Sequence, residues 1–218
     1  MYPPLKRALD LVLAVSALLL LAPLLLGLAA WVRLANPGPV FYRGLRVGRG
    51  GITFHMLKFR TMVVDADKLG PTSTTEDDPR ITSPGRFMRR NKLDELPQLI
   101  NVLRGDMSIV GPRPQVQWAV SLYSEEERAL LSLRPGITDY ASLRFRNEGE
   151  ILRGSADPDS DYLERIAPLK LRLGLHYVRS CSFATDLKII GATALSLVGV
   201  DPSWCLPGFA REAAGAQP

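Results

Sequence analysis

Two adjacent carboxylates, Asp94 and Glu95, open the stretch NKLDELPQLINVLRGDMSIVGPRP at 91–114, and cations crowd them on both sides. Leu96, Leu99, Ile100 and Leu103 follow at i, i+3, i+4 and i+7, the spacing of an amphipathic helix. Pro97 falls in its first turn, where a missing N–H costs little, and Gly105 stops the run. Gly111-Pro112-Arg113-Pro114 then makes a stiff loop that carries one guanidinium. Carboxylates at a helix N-terminus beside a rigid cation suit phosphate chemistry, because free N–H groups and the helix dipole favour anions there. The same residues also suit a plain cap, since Asp is a preferred N-cap and Glu a preferred first-turn residue.

The flanking cations have the same two explanations. Val40–Val47 and Ile52–Phe59 surround Gly48-Arg49-Gly50-Gly51, the pattern of a β-hairpin with a glycine-containing loop. Its second strand runs into Lys58-Phe59-Arg60, either a charge-protected sheet edge or a phosphate contact. Residues 63–85 are polar and are expected to form a mobile loop carrying Arg80. Arg86, Arg89 and Arg90 share one face of a predicted helix just before the carboxylates. That face is either solvated or a clamp of bidentate guanidinium forks. Neither a GxGxxG fingerprint nor a Walker loop is present, which excludes the standard dinucleotide and NTPase sites.

These residues need a mount, and the first forty suggest a membrane. No charge occurs between Asp10 and Arg33. A straight helix over residues 11–32 would be roughly 33 Å long, enough to cross the hydrocarbon core. Pro23 lies near its centre and Gly27 follows one turn later, which predicts a kink or break. Lys6 and Arg7 precede the run, and Arg33, Arg43, Arg46 and Arg49 follow it. Basic residues mark the cytoplasmic side, so both ends prefer one face. A single span and a re-entrant helix–break–helix both remain open, and the flanks favour the second.

The net charge of +5 and a pI of about 9.4 call for an anionic partner. Carboxylates set inside the basic region, with an apolar N-terminus, argue against nucleic acid. Cys181 and Cys205 form no CxxC or Cys/His cluster, so neither a disulfide framework nor a zinc site is implied. Downstream, Ser124–Leu133 has the pattern of a capped helix, and Tyr162–Tyr177 is helical in period, with Lys170 and Arg172 placed for a headgroup surface. Asp186 precedes the charge-free run Ile189–Val200, which is too short to span a membrane. The expected organisation is mainly helical α+β. Residues 1–36 form the re-entrant membrane hairpin, 37–200 a catalytic domain with a short β-hairpin and interfacial amphipathic helices, and 201–218 a loosely ordered tail.

The segments KFRTM, DPRIT, GRFMRR, LDELPQLINVLRGDMSIVGPRP, RPGIT and SFATDLKII occur in an order that resembles the bacterial sugar transferases, the monotopic phosphoglycosyl transferases, from Leu5 to about Val200. The resemblance implies transfer of a sugar 1-phosphate from a UDP-sugar to polyprenyl phosphate, with release of UMP, at the cytoplasmic face of a bacterial inner membrane. Asp94 then falls on the family's nucleophile and Glu95 on its partner, with Mg2+ held near both. Lys58, Arg60, Arg80, Arg89, Arg113 and Asp186 match positions expected to bind substrate. Membrane lipid and downstream glycosyltransferases are the further partners implied. One departure is Gly174, which stands where the family has an acidic residue; Asp186 keeps its match and is left as either an orienting carboxylate or a helix N-cap. A non-catalytic membrane adaptor, holding anionic lipid or glycosyltransferases, is the alternative function.

Overall fold

The computed structural model describes residues 2–70 and 73–215. The apolar run folds as helix α1, Tyr2–Ala35. It is long and apolar enough to cross a membrane by length and composition. Of the kink or break expected at Pro23, the break does not occur: α1 is helical on both sides of it. Proline removes one backbone bond there, but the surrounding leucines and alanines are strong helix formers, and apolar helices of this kind tolerate proline.

Strands β1 (Phe41–Val47) and β2 (Thr53–Phe59) form the expected antiparallel hairpin, in a register that sets Tyr42 opposite Lys58. Helix α2 (Ser83–Arg90) is capped by Thr82, whose side chain accepts from the Gly85 N–H. The expected helix at the carboxylates is divided. Leu93–Glu95 makes a tight 3₁₀ turn, and α3 begins only at Gln98 and ends at Arg104. Strand β3 (Ser108–Val110) pairs in parallel with β4 (Gly136–Thr138). Gly111 and Gly136 meet where these strands end; a Cβ on Gly136 would lie 2.1 Å from the Gly111 nitrogen, so no larger residue fits. The short helices α4 (Gln117–Ser121), α5 (Tyr140–Arg144), α6 (Glu148–Ile151) and α7 (Pro158–Asp161) connect to two longer ones, α8 (Ala167–Ser180) and α9 (Phe183–Leu197).

The C-terminal core gathers Val110, Tyr140, Leu143, Leu152, Leu173, Tyr177 and Ile189. Cys205, Leu206 and Ala210 are buried in the same cluster, and Gly208–Gly215 forms helix α10. The stretch expected to be a loose tail is therefore packed as far as these residues go, because its few apolar side chains complete a core left open by α5, α8 and α9; 216–218 lie outside the described residues. A second core joins Ala14 of α1 to Met56, Leu99, Val102 and Met107, and a third joins Leu28 and Val32 to Phe59 and Met88. Both halves of α1 thus pack on the same body. Lys170 departs from the expected headgroup position: it is 9% exposed, pairs with Glu148, and lies over the Tyr162 ring at 5.0 Å.

Candidate active site

Asp94 and Glu95 share a 3₁₀ turn yet meet opposite surroundings. Glu95 is clamped: Lys58 Nζ donates to its Oε1 at 2.8 Å, Arg113 Nη1 to its Oε2 at 3.1 Å, and Arg113 Nη2 also to Oε1. Burial alone would raise the Glu95 pKa, but the Arg113 guanidinium and the Lys58 ammonium together hold it well below the usual carboxylate range. Asp94 is 7% exposed. Burial pushes its pKa up, Lys58 opposes that, and the Glu95 charge adds to it. The pair is electrostatically unequal: one carboxylate is neutralised by two cations, and its neighbour is a destabilised, more basic anion. Arg89 feels both carboxylates, while Lys92, held at a left-handed φ of +57°, leads into the turn.

Three elements set this geometry. Lys58 is fixed because Asn101 of α3 is sewn to β2: the Leu57 N–H donates to Asn101 Oδ1 at 2.9 Å, and Asn101 Nδ2 donates to the His55 carbonyl at 2.8 Å. Arg113 is fixed by its loop, where the Gly111 N–H donates to the Thr138 carbonyl and the Gly136 N–H to the Pro112 carbonyl. The base of that loop is tied in turn to α1, since buried Asp10 accepts from Ser108 Oγ and from the Ile109 N–H. Sequence reasoning missed Asn101 and Asp10. The signals were there: an amide inside an otherwise apolar helix, and a carboxylate at the edge of an apolar run. Asp139 was also missed; it caps α5, is 1% exposed, and has its pKa raised by burial within reach of Arg113.

Of the residues matched to substrate contacts, Lys58, Arg89 and Arg113 gather at the dyad. The other three are engaged elsewhere. Arg60 turns away from Lys58 to donate to the Asn36 and Pro37 carbonyls, where the end of α1 presents partial negative charge. Arg80 is buried, with its fork on Asp78 at 2.9 and 2.6 Å and Nη1 on the Ala66 carbonyl at 2.8 Å. Asp186 is no N-cap; Ser182 caps α9. It is 1% exposed, receives the Tyr177 hydroxyl at 2.6 Å and pairs with Lys6 at 2.5 Å. At Gly174 an added Cβ would lie 2.7 Å from Leu130 Cδ2, so this chain packs tightly where an acidic side chain was expected.

A divalent cation is tested by the donors present. Among the described residues, no group of three or more His, Cys, Asp or Glu side chains forms a metal cage. Magnesium commonly takes one or two carboxylates plus phosphate oxygens, so Asp94 fits such a site, whereas Glu95, already occupied by two cations, does not.

The described residues thus set a buried Asp94 beside a part-buried Glu95, flanked by basic side chains, on a body carrying an apolar helix consistent with membrane association. The bacterial sugar transferase model matches residues 1–199, and the chain belongs to that family. It is 36% identical over 203 residues to the exopolysaccharide production protein ExoY of Sinorhizobium fredii, covering 86% of this chain and 83% of that protein. It is 40% identical over 202 residues to a UDP-glucose:undecaprenyl-phosphate glucose-1-phosphate transferase of Caulobacter vibrioides, covering 91% of this chain and 72% of that protein. An Escherichia coli protein of the same description is 42% identical over 198 residues; the match covers 87% of this chain but 39% of that longer protein.

Proposed function

We propose that this protein transfers a sugar 1-phosphate from a UDP-sugar to a polyprenyl phosphate and releases UMP. The observation that carries the proposal is the inequality of the dyad. Glu95 is held as an anion by Lys58 and Arg113, while buried Asp94 is left as the reactive partner. In the first step an Asp94 oxygen attacks the donor's β-phosphorus; the bond from that phosphorus to the bridging oxygen breaks, and UMP departs with that oxygen. In the second, an oxygen of the polyprenyl phosphate attacks the same phosphorus and displaces Asp94. A carboxylate nucleophile divides one hard displacement into two easier ones. Positioning and charge neutralisation by Arg113, Arg89 and Lys58 are the main demands of phosphoryl transfer. A magnesium ion held by Asp94 would neutralise diphosphate charge.

A polyprenyl carrier lies in the bilayer and a UDP-sugar in water, so the dyad belongs at their interface. Packing of both halves of α1 on one body supports a helix that enters and leaves by the cytoplasmic leaflet. Asp94→Asn is expected to abolish UMP release, to below about 1% of the parent rate. Enzyme mixed with UDP-sugar alone should gain the mass of one sugar phosphate on Asp94. Normal turnover by the variant would sink the covalent mechanism.

A further inference from the structure

A cavity of about 330 Å³ lies apart from the dyad residues, with Thr75, Asp77, Asp78 and Arg80 on one wall and Ser155 and Pro158 on the other. Its size falls at the lower end for small-ligand sites, enough for one ring-sized group. The walls are tied to each other. The Glu76 N–H donates to the Gly149 carbonyl at 3.1 Å, the Ser73 N–H donates to Asp159 Oδ1 at 2.7 Å, and Arg153 pairs with Glu76. The cavity is therefore preformed.

Its chemistry selects the occupant. Arg80 is the cation on the walls, and Asp78 already takes its charge. The neighbouring Asp77 is an exposed carboxylate, and Thr75 and Ser155 add hydroxyls. Such walls accept hydrogen bonds from hydroxyl or imide N–H groups and repel phosphate. Helix α2, which carries Arg89 near its end, joins the cavity wall at Arg80 to the turn that bears the dyad.

We propose that this cavity holds a neutral, hydroxyl-bearing ring of the nucleotide-sugar donor, with the diphosphate extending past Arg89 to Asp94. The proposal rests on the donor assignment above and adds a location to it. Ribose and hexose share the chemistry, and the test separates them. Ala156, exposed on the cavity wall, is replaced in Ala156→Trp to fill the space, and Asp77→Ala removes the free carboxylate. Both are made in full-length Asp94→Asn protein, so affinity is read without turnover, by calorimetric titration with UMP and with UDP-glucose.

Ala156→Trp is expected to weaken binding at least tenfold and Asp77→Ala about threefold, with unchanged thermal midpoints. Loss with both ligands places the nucleoside in the cavity; loss with UDP-glucose alone places the hexose there. Parent-like affinity for both ligands in Ala156→Trp overturns the proposal while leaving the donor assignment standing. A parent that binds neither ligand overturns the donor assignment and this location together.

Discussion

At the scale of single residues, the proposed reaction depends on Asp94 and Glu95 not being equivalent. In the proposed mechanism Asp94 attacks only when ionised, and burial raises its pKa while Lys58 provides the strongest downward pull. Removing that cation in Lys58→Met should keep Asp94 protonated to higher pH. The acid limb of single-turnover UMP release is therefore expected to move to higher pH than in the parent; an unmoved limb would show that Lys58 does not tune the nucleophile. Glu95 has the opposite sign. Its pKa is depressed on folding, so its stabilising contribution is complete above the unfolded value of about 4.3 and fades only as pH falls through the folded one. Gln98, four residues beyond Asp94, is fully buried and neither polar atom of its amide has a partner. Gln98→Leu removes that desolvation cost and should stabilise the fold by about 1 kcal/mol, read as a raised thermal midpoint. A lowered midpoint would mean that the amide is satisfied after all. Residue types alone left Asp94 and Glu95 as either a helix cap or a pair for phosphate chemistry, and the family resemblance weighed for the second; that Lys58 and Arg113 both close on Glu95 is visible only in the fold. The engagement of Arg60 and Arg80 was not legible either, because a guanidinium serves a phosphate and a backbone carbonyl by the same geometry, and only the fold decides which is near.

At the scale of elements, the hairpin and the later part of the amphipathic stretch were legible because local periodicity determines them, whereas its division into a 3₁₀ turn and α3 was not. The parallel β3–β4 pair was not: each strand is three residues long, and their pairing joins segments far apart in sequence. The chain from Lys6 through Asp186 and Tyr177 was equally hidden, since it unites the first helix with the last core helices. Tyr177 Oη donates to Asp186 at 2.6 Å and lies 3.3 Å from the Val110 carbonyl, just before the Arg113 loop. Asp186 is thus a positioning residue that holds α1 and braces β3. Asp186→Ala leaves a buried hydroxyl and a half-buried ammonium without their carboxylate. It should cost about 3 kcal/mol, the loss usual for breaking a buried pair. Hydrogen exchange should rise first in residues 5–12 of α1. Unchanged protection there would separate Asp186 from the anchoring of that helix.

At the scale of the whole molecule, the question is which side of the membrane each end of α1 occupies. Thirty-four residues of straight helix would extend about 50 Å, more than a hydrocarbon core. Yet Ala14 is covered by α3 and β2, and Val32 by β2 and α2, so neither end is free to leave the catalytic body. Arg7 donates to the Val102 and Leu103 carbonyls at one end of α1, and Arg33 to the Gly38 carbonyl at the other. Between them, Leu19, Leu20 and Leu26 are each more than two-thirds exposed, an apolar stretch that water would not tolerate and lipid would. The proposed re-entrant arrangement, in which α1 would bend at Pro23 in the bilayer with the exposed leucines deepest, reconciles these facts without sending either end across it. Single cysteines at Tyr2→Cys and Leu45→Cys, in a chain with Cys181 and Cys205 replaced by serine, test it. Both sites should react with an impermeant maleimide in inverted vesicles and stay protected in intact cells. Labelling from opposite sides would instead make α1 a span, and the catalytic body would have to release one end of it.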